Sequence, residues 1–212
     1  MIALRFPILL GILGASSAVS GCAASRLGGP VGEVAADPAA LETEIASTTT
    51  PASPLQVNFG WTLNEGGSRV NGRGVVRFEA PERARLDLFG PRGETYLMAA
   101  LVDEEYRLPP GAADTAVLPS PSLLWSAVGV LRPPADARLE SATTTDMSAD
   151  LRYRTPNGEI FAYTFTRDPA ADSFALTRLE RAAGRGVIES VNVDRDGDGT
   201  ISRTRYRNWS EY

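Results

Sequence analysis

The chain has 212 residues, with 21 Lys+Arg against 26 Asp+Glu, which gives a formal net charge of −5. All the cations are Arg, His is absent and there is one Cys, so the composition excludes a His or Lys catalytic base, a His-ligated metal, a thiolate cluster and an internal disulfide. The acidic balance with scattered Arg also argues against a nucleic-acid partner, which requires a clustered basic face.

Residues 1–21 have the organisation of a secretory signal peptide. One Arg precedes an apolar run at 6–15, and small residues follow as far as Gly21. The run is shorter than the roughly 20 apolar residues that a permanent transmembrane helix requires. We therefore predict that this segment is a lipoprotein signal peptide and takes no part in the fold.

The single cysteine indicates which kind of signal peptide this is. Val19-Ser20-Gly21-Cys22 resembles the bacterial lipobox, and the resemblance implies a diacylglyceryl thioether and an acylated amino group on Cys22. Acyl chains such as palmitate contribute about 0.8 kcal/mol per buried CH₂, so two or more of them anchor a domain stably. The alternative is an ordinary cleaved signal with a leftover cysteine. No acidic residue follows Cys22, so by analogy we expect the outer membrane, with the domain facing the periplasm.

Residues 22–54 are rich in Ala, Gly, Ser, Thr and Pro and are interpreted as a flexible tether. Within this segment Asp37 is a suitable N-cap, with Pro38 at the first helical position, so a short helix ending near Pro51 is an alternative to a solvated spacer.

From residue 55 onward hydrophobic residues recur with a period of two, which is typical of half-buried strands. The first strand carries Val57, Phe59, Trp61 and Leu63 on one face. Three further strands are predicted at 69–79, 83–89 and 94–102, followed by a short strand at Tyr106 and Leu108. The strand at 94–102 is apolar on both faces, so we expect it to be central or covered on both sides.

One helix is predicted at 121–128. Ser120 is a possible N-cap, Pro121 suits the first turn, and Gly129 suits the position after the last helical residue. Leu123, Leu124, Trp125 and Val128 form its apolar stripe. Pro133-Pro134 prevents the helix from continuing.

Six more strands complete the predicted domain, which spans 55–212. They lie at 138–141, 151–155, 159–167, 174–181, 187–193 and 200–209. Many short strands joined by tight turns indicate an antiparallel meander, and a sheet of this length should curl. The predicted fold class is therefore mainly β (α+β), a curled meander sheet or open half-barrel with one or two short helices as a lid.

This combination resembles the LolA/LolB superfamily. The resemblance lies in the lipobox, the Pro-rich tether, the sequence RLDLFGPRG at 85–93 and the Leu-Leu-Trp helix at 121–128. It implies an open half-barrel closed by helices, with an apolar cavity that holds the acyl chains of lipoproteins. Within the family, LolB is an outer-membrane lipoprotein that receives cargo from the carrier LolA.

A concave face of such a sheet either packs a core or leaves a cavity, and alternation alone leaves both open. One short helix is a small cover for so many strands, which favours a partly exposed apolar site. The candidate cavity residues are Trp61, Phe78, Leu86, Leu88, Tyr96, Met98, Leu124, Trp125, Phe161, Tyr163 and Phe165.

An Asp-rich segment at 194–202 matches the first nine positions of an EF-hand loop, with Asp194, Asp196 and Asp198 as potential calcium ligands. Position twelve is Arg205, a cation in place of the expected bidentate Glu. The flanks also alternate like strands, so a hairpin turn is the favoured interpretation, with weak calcium binding as the alternative.

The last predicted strand carries Arg203, Arg205 and Arg207 on one face. These side chains suit lipid headgroups or an acidic partner, and protection of an edge strand against aggregation explains them equally well.

The functional expectation is a non-enzymatic, outer-membrane lipoprotein that binds or transfers lipids or lipoprotein acyl chains and needs no cofactor. No base is present to activate a Ser, and no carboxylate pair has a spacing that indicates burial. The alternative is an envelope scaffold or assembly lipoprotein with a filled core, whose sheet edge docks a protein partner.

Overall fold

The computed structural model describes residues 27–29, 31–65, 67–79, 83–111, 118–168, 172–184 and 186–209. The predicted signal peptide and Cys22 lie outside these residues. The elements in chain order are β1 (Glu33–Val34), α1 (Pro38–Thr49), β2 (Leu55–Glu65), β3 (Ser68–Glu79), β4 (Arg83–Phe89), β5 (Thr95–Val102), β6 (Glu105–Arg107), α2 (Pro121–Ser126), β7 (Arg138–Thr144), β8 (Ser148–Arg154), β9 (Ile160–Asp168), β10 (Ser173–Ala183), β11 (Gly186–Arg195) and β12 (Ile201–Asn208).

The strands form two antiparallel meanders. The larger sheet has seven strands in the order β1-β7-β8-β9-β10-β11-β12, and the smaller has five in the order β2-β3-β4-β5-β6. Except for β1 against β7, every neighbour in a sheet is also the next strand in the chain, as short turns favour. The predicted fold class, mainly β with open sheets and short covering helices, is confirmed.

Strand β5 was predicted to be central or covered on both sides. In the structure it is the second-to-last strand of the smaller sheet, between β4 and the three-residue β6, and its first two residues are exposed. A register shift between Leu88 and Phe89 disturbs its pairing with β4 at that end. Strand β6 pairs only with Ala100 to Val102, so among the described residues the first half of β5 has no partner strand on that side, which explains the exposure.

Part of the segment predicted as a flexible tether belongs to the folded structure. Residues Glu33–Val34 pair with β7, and α1 begins where the alternative helix was predicted, with Asp37 Oδ1 accepting a hydrogen bond from Ala40 N at 3.0 Å. Ile45 of α1 is fully buried. This burial offsets the low intrinsic stability of a short helix, which is why composition alone did not reveal it.

The inner face of the seven-stranded sheet is filled. The side chains of β8 to β11 pack with Ile45 of α1 and Leu123 of α2 in one continuous cluster. Tyr153 and Tyr163 contact edge to face with ring centroids 5.7 Å apart. Their hydroxyls donate to Glu42 Oε1 and to the Arg132 carbonyl, so the polar ends of both rings are satisfied.

Helix α2 connects the two cores. Leu123 joins the cluster of the larger sheet, whereas Leu124 and Trp125 join a second cluster on the smaller sheet. Two polar contacts hold the helix at its ends: Ser120 N donates to Glu189 Oε1 at 3.3 Å, and Thr204 Oγ1 donates to the Ala127 carbonyl at 2.9 Å. The helix is thus anchored to β11 and β12 and presents one side to each sheet.

Within the described part of the chain, neither helix combines the length and the apolarity that crossing a bilayer would require.

Candidate functional site

The inner face of the five-stranded sheet is apolar along its whole length. Opposed side chains form rows across it, because residues directly opposite in an antiparallel sheet point to the same side. The residues of this face, from β2 to β6, are Leu55, Val57, Phe59, Trp61, Leu63, Val70, Gly72, Gly74, Val76, Phe78, Ala84, Leu86, Leu88, Leu97, Ala99, Leu101 and Tyr106.

One end of this face is covered by α2. Trp125 lies 5.7 Å from Phe78 between ring centroids, and Leu124 and Val130 pack on the same cluster. Phe78 and Trp125 are almost completely buried. The space under the helix is therefore filled by side chains.

The other end, together with the edge strand β2, is only partly covered. Val57, Phe59 and Leu88 are half-buried, and Leu55 is 46% exposed. Burial thus decreases from the centre of β3 and β4 towards β2 and towards the β2–β3 turn. We call this part the open face, defined as Leu55, Val57, Phe59, Trp61, Leu63, Val70, Leu88 and Leu97.

Two glycines shape the open face. Gly74 lies opposite Phe59 and Gly72 lies opposite Trp61. A Cβ at either glycine would come too close to the facing aromatic ring. The rings therefore lie across the glycines on β3 and form a broad apolar surface parallel to the sheet.

Trp61 is fixed at the rim of this surface. Its Nε1 donates to the carbonyls of Arg73 and Phe89 at 3.1 and 3.2 Å, and its ring centroid lies 4.8 Å from that of Tyr96. A shallow cavity of about 360 Å³ opens beside it, and it is lined by both apolar and polar residues, among them Gly72, Pro91 and Arg73. The indole is thus positioned by its polar edge, while its apolar ring borders the cavity.

The eleven predicted cavity residues do not come together in one cavity. Trp61, Leu88 and Tyr96 lie at the open end of the smaller sheet. At the covered end α2 contributes Leu124 and Trp125, which pack with Phe78 and Leu86. The remaining four residues lie elsewhere: Phe161, Tyr163 and Phe165 are on the larger sheet, and Met98 points to the opposite side of β5.

Phe161, Tyr163 and Phe165 fill the core of the seven-stranded sheet, which corrects their assignment to a cavity. Tyr163 and Phe165 are fully buried, with ring centroids 6.4 Å apart. Helix α1, which was predicted only as an alternative to a solvated spacer, covers this sheet. Burial also raises the pKa of Tyr163, because the charged phenolate is disfavoured away from water.

Met98 corrects the prediction in a different way. It lies opposite Asp87, on the outer face of the smaller sheet. Asp87 is buried there between two guanidinium groups: Arg77 Nη1 and Arg85 Nε lie 3.0 Å from its carboxylate oxygens. The outer face is therefore polar at this point and unsuited to acyl chains.

Val57 and Phe59 were predicted on the inner face of the first strand but not as site residues. The signal was present in the run of alternating residues that also yielded Trp61. No sequence pattern indicated that the carboxylate of Glu189 is buried. It accepts hydrogen bonds from Tyr206 Oη and Arg181 Nη1, at 2.6 Å each, as well as from Ser120 N.

The Asp-rich segment forms the hairpin turn between β11 and β12, as favoured from the sequence. Asp194 is paired with Arg205 Nη1 at 2.8 Å, which occupies one of the predicted calcium ligands. Asp198 accepts a hydrogen bond from Thr200 N, and this bond lowers the pKa of Asp198. Across the described residues, no three His, Cys, Asp or Glu side chains converge into a metal-binding group.

A second cavity, of about 480 Å³, lies beside this turn and is polar. It is bordered in part by Thr48, Thr49, Thr200 and Arg195. Partial burial lowers the pKa of the Arg195 guanidinium. An apolar chain is therefore better accommodated on the open face than in this cavity.

In comparisons with known proteins, no protein-family model and no curated protein matches the sequence. Among solved structures, the fold is similar to that of a LolA superfamily protein from Nitrosomonas europaea, with a TM-score of 0.50. The two chains are 12% identical, and the match covers 82% of this chain and 86% of that chain. The expected LolA-like fold is therefore confirmed, at the level of the fold.

Proposed function

We propose that this protein binds lipids or lipoprotein acyl chains on the open face. The observation that carries the proposal is the incomplete cover of Val57, Phe59, Trp61 and Leu88, beside a helix that already packs on the same sheet. Exposed apolar surface of this kind marks binding sites. The LolA-like fold supports the same proposal.

An acyl chain suits this surface for a physical reason. The face is a strip along β2 with few polar groups, and each methylene removed from water contributes about 0.8 kcal/mol. A chain lying along Leu55 to Leu63 would contact residues of one strand in succession. Helix α2 borders the strip and acts as its lid.

Fatty-acid titration of the purified protein, after extraction of any bound lipid, tests this proposal. We expect saturable binding of a fluorescent fatty acid. Phe59→Glu places a charge on the open face and should weaken binding at least about tenfold. Asn58→Glu, one residue away on the opposite side of β2, is the matched control and should bind normally. Absence of saturable binding, or equal loss in both variants, contradicts the proposal.

The cellular setting is part of the same proposal. The protein is attached to the outer membrane through lipidated Cys22, faces the periplasm and is not an enzyme. The lipobox resemblance and the absence of His and Lys support these statements. Cys22→Ser should move the chain from the membrane to the soluble fraction, and mass spectrometry of the membrane-extracted protein should show acylation. An unacylated Cys22 at the membrane would contradict the anchor.

A second candidate function is an envelope scaffold. The solid packing on the inner face of the seven-stranded sheet favours it, since the described residues of that face leave no apolar cavity for an acyl chain. Crosslinking in membranes should then yield one stoichiometric protein partner, and lipid binding should be absent.

A further inference from the structure

The two sheets have four edges, and three of them are protected against further pairing. Among the described residues β1 has two residues and β6 has three, which leaves little backbone to pair. Strand β12 carries exposed Arg203, Arg205 and Arg207. Very short edges and edge charges are the usual means by which proteins prevent association of sheets.

Strand β2 has neither protection. It is eleven residues long, contains no Pro, and carries no charged residue from Leu55 to Asn64. Its outward side chains are polar and exposed, and its inward side chains belong to the open face. A long, uncharged edge of this kind is a template for pairing with another strand.

We propose that β2 pairs antiparallel with β2 of a second copy of this chain, around a two-fold axis at Gly60. A closed, isologous contact requires that one strand be complementary to itself. Gly60 is the central residue of Leu55–Glu65, so only an axis at Gly60 pairs the whole strand.

The side chains match in this register. Phe59 lies opposite Trp61 of the second copy and Val57 lies opposite Leu63, so apolar groups meet on the inner face along the centre of the strand. At the two ends of the strand Leu55 lies opposite Glu65. On the outer face Asn58 lies opposite Thr62, and Gly60 lies opposite itself. Cross-strand pairs of aromatic and β-branched residues stabilise such ladders, and no like charges meet along Leu55 to Asn64.

The pairing joins two five-stranded sheets into one sheet of ten strands. The two open faces then form one continuous apolar surface, and β2 ceases to be an edge. This inference goes beyond the proposed function, because the association is measured without lipid and lipid binding is measured separately.

Sedimentation equilibrium of the full chain carrying Cys22→Ser tests the proposal. We expect a dimer in the micromolar range. The double variant Asn58→Lys/Thr62→Lys places positive charges along the contact and should raise the dimer dissociation constant at least about tenfold. The matched control Thr95→Lys/Ser202→Lys adds the same charge at exposed positions on β5 and β12, away from β2. It should leave the dimer intact, and circular dichroism should show both variants folded.

A disulfide tests the position of the axis. The space around a Cβ at Gly60 is open, its nearest neighbour being the Gly72 carbonyl at 3.9 Å, so Gly60→Cys is tolerated. In the Cys22→Ser chain it should form a covalent dimer on mild oxidation, whereas Asn71→Cys should not. A monomer at all concentrations, open-ended oligomers, or a dimer indifferent to the lysines on β2 would overturn the proposal.

Discussion

The two sheets differ less in sequence pattern than in what covers them. Both carry alternating apolar residues on their inner faces. The seven-stranded sheet receives α1 and one side of α2, and the aromatic residues of β8 and β9 on its inner face are buried. Among the described residues, the five-stranded sheet is covered only by the other side of α2 and the residues that follow it, so the rows near β2 stay half-exposed. The same two-residue alternation thus yields a buried core on the seven-stranded sheet and a partly exposed apolar surface on the five-stranded sheet.

We therefore place the proposed binding function on the five-stranded sheet. A closed, well-packed core gives stability, whereas an apolar surface left open retains free energy for binding. The comparison also explains why the polar groups that fix α2, Glu189 and Thr204, lie on the larger sheet. The seven-stranded sheet thus holds α2 in place over one end of the five-stranded sheet.

The largest expected effect distinguishes the two cores directly. Phe165→Ala removes a fully buried ring and should lower the free energy of unfolding by about 3–5 kcal/mol. Phe59→Ala removes a half-buried ring that borders solvent, so no closed cavity forms, and about 1 kcal/mol is expected. Urea unfolding monitored by circular dichroism measures both. Equal losses would mean that the open face is a core after all.

A second prediction concerns α1, on which the completeness of the larger core depends. Ile45→Ala should cost about 3 kcal/mol, because Ile45 is fully buried among the side chains of the sheet. Thr43→Ala, at an exposed position of the same helix, is the control and should change stability by less than about 0.5 kcal/mol. If Ile45→Ala were equally harmless, residues 38–49 would behave as the tether expected from composition.

The sequence was sufficient for the strands and α2 because their signals are local. The alternation at Val57 to Leu63 and the Pro121–Gly129 boundaries depend on residues close together in the chain. The role of α1 was harder to predict, because Ala- and Thr-rich segments are typical of spacers. Its order depends on Ile45 reaching strands more than a hundred residues away.

The candidate site was predictable only in part, for a similar reason. Alternation places Trp61 and Phe161 on inner faces but does not specify which helix covers each sheet. Met98 was misassigned because β5 is apolar on both sides, so its pattern gives no face. The buried Asp87 was unpredictable as well, since its burial depends on Arg77, which comes from a neighbouring strand.

The smallest expected effect is on the free energy of unfolding at high pH, and it concerns the core of the seven-stranded sheet. Burial and the hydrogen bond to Glu42 raise the pKa of Tyr153 above its ordinary value of about 10. Above that pH the unfolded chain releases the phenolic proton while the folded chain keeps it. The stability that Tyr153 contributes through this shift is therefore complete below pH of about 10 and is lost as the pH rises further.

The slope for one such tyrosine is about 1.4 kcal/mol per pH unit. Tyr153→Phe should reduce the slope of unfolding free energy against pH by that amount between about pH 10.5 and 11.5. Tyr96→Phe, at a side chain that is 46% exposed beside the open face, is the matched control for the loss of one phenolic hydroxyl. Identical slopes for the wild type and Tyr153→Phe would show that water reaches this hydroxyl, and the larger core would then be less closed than its packing indicates.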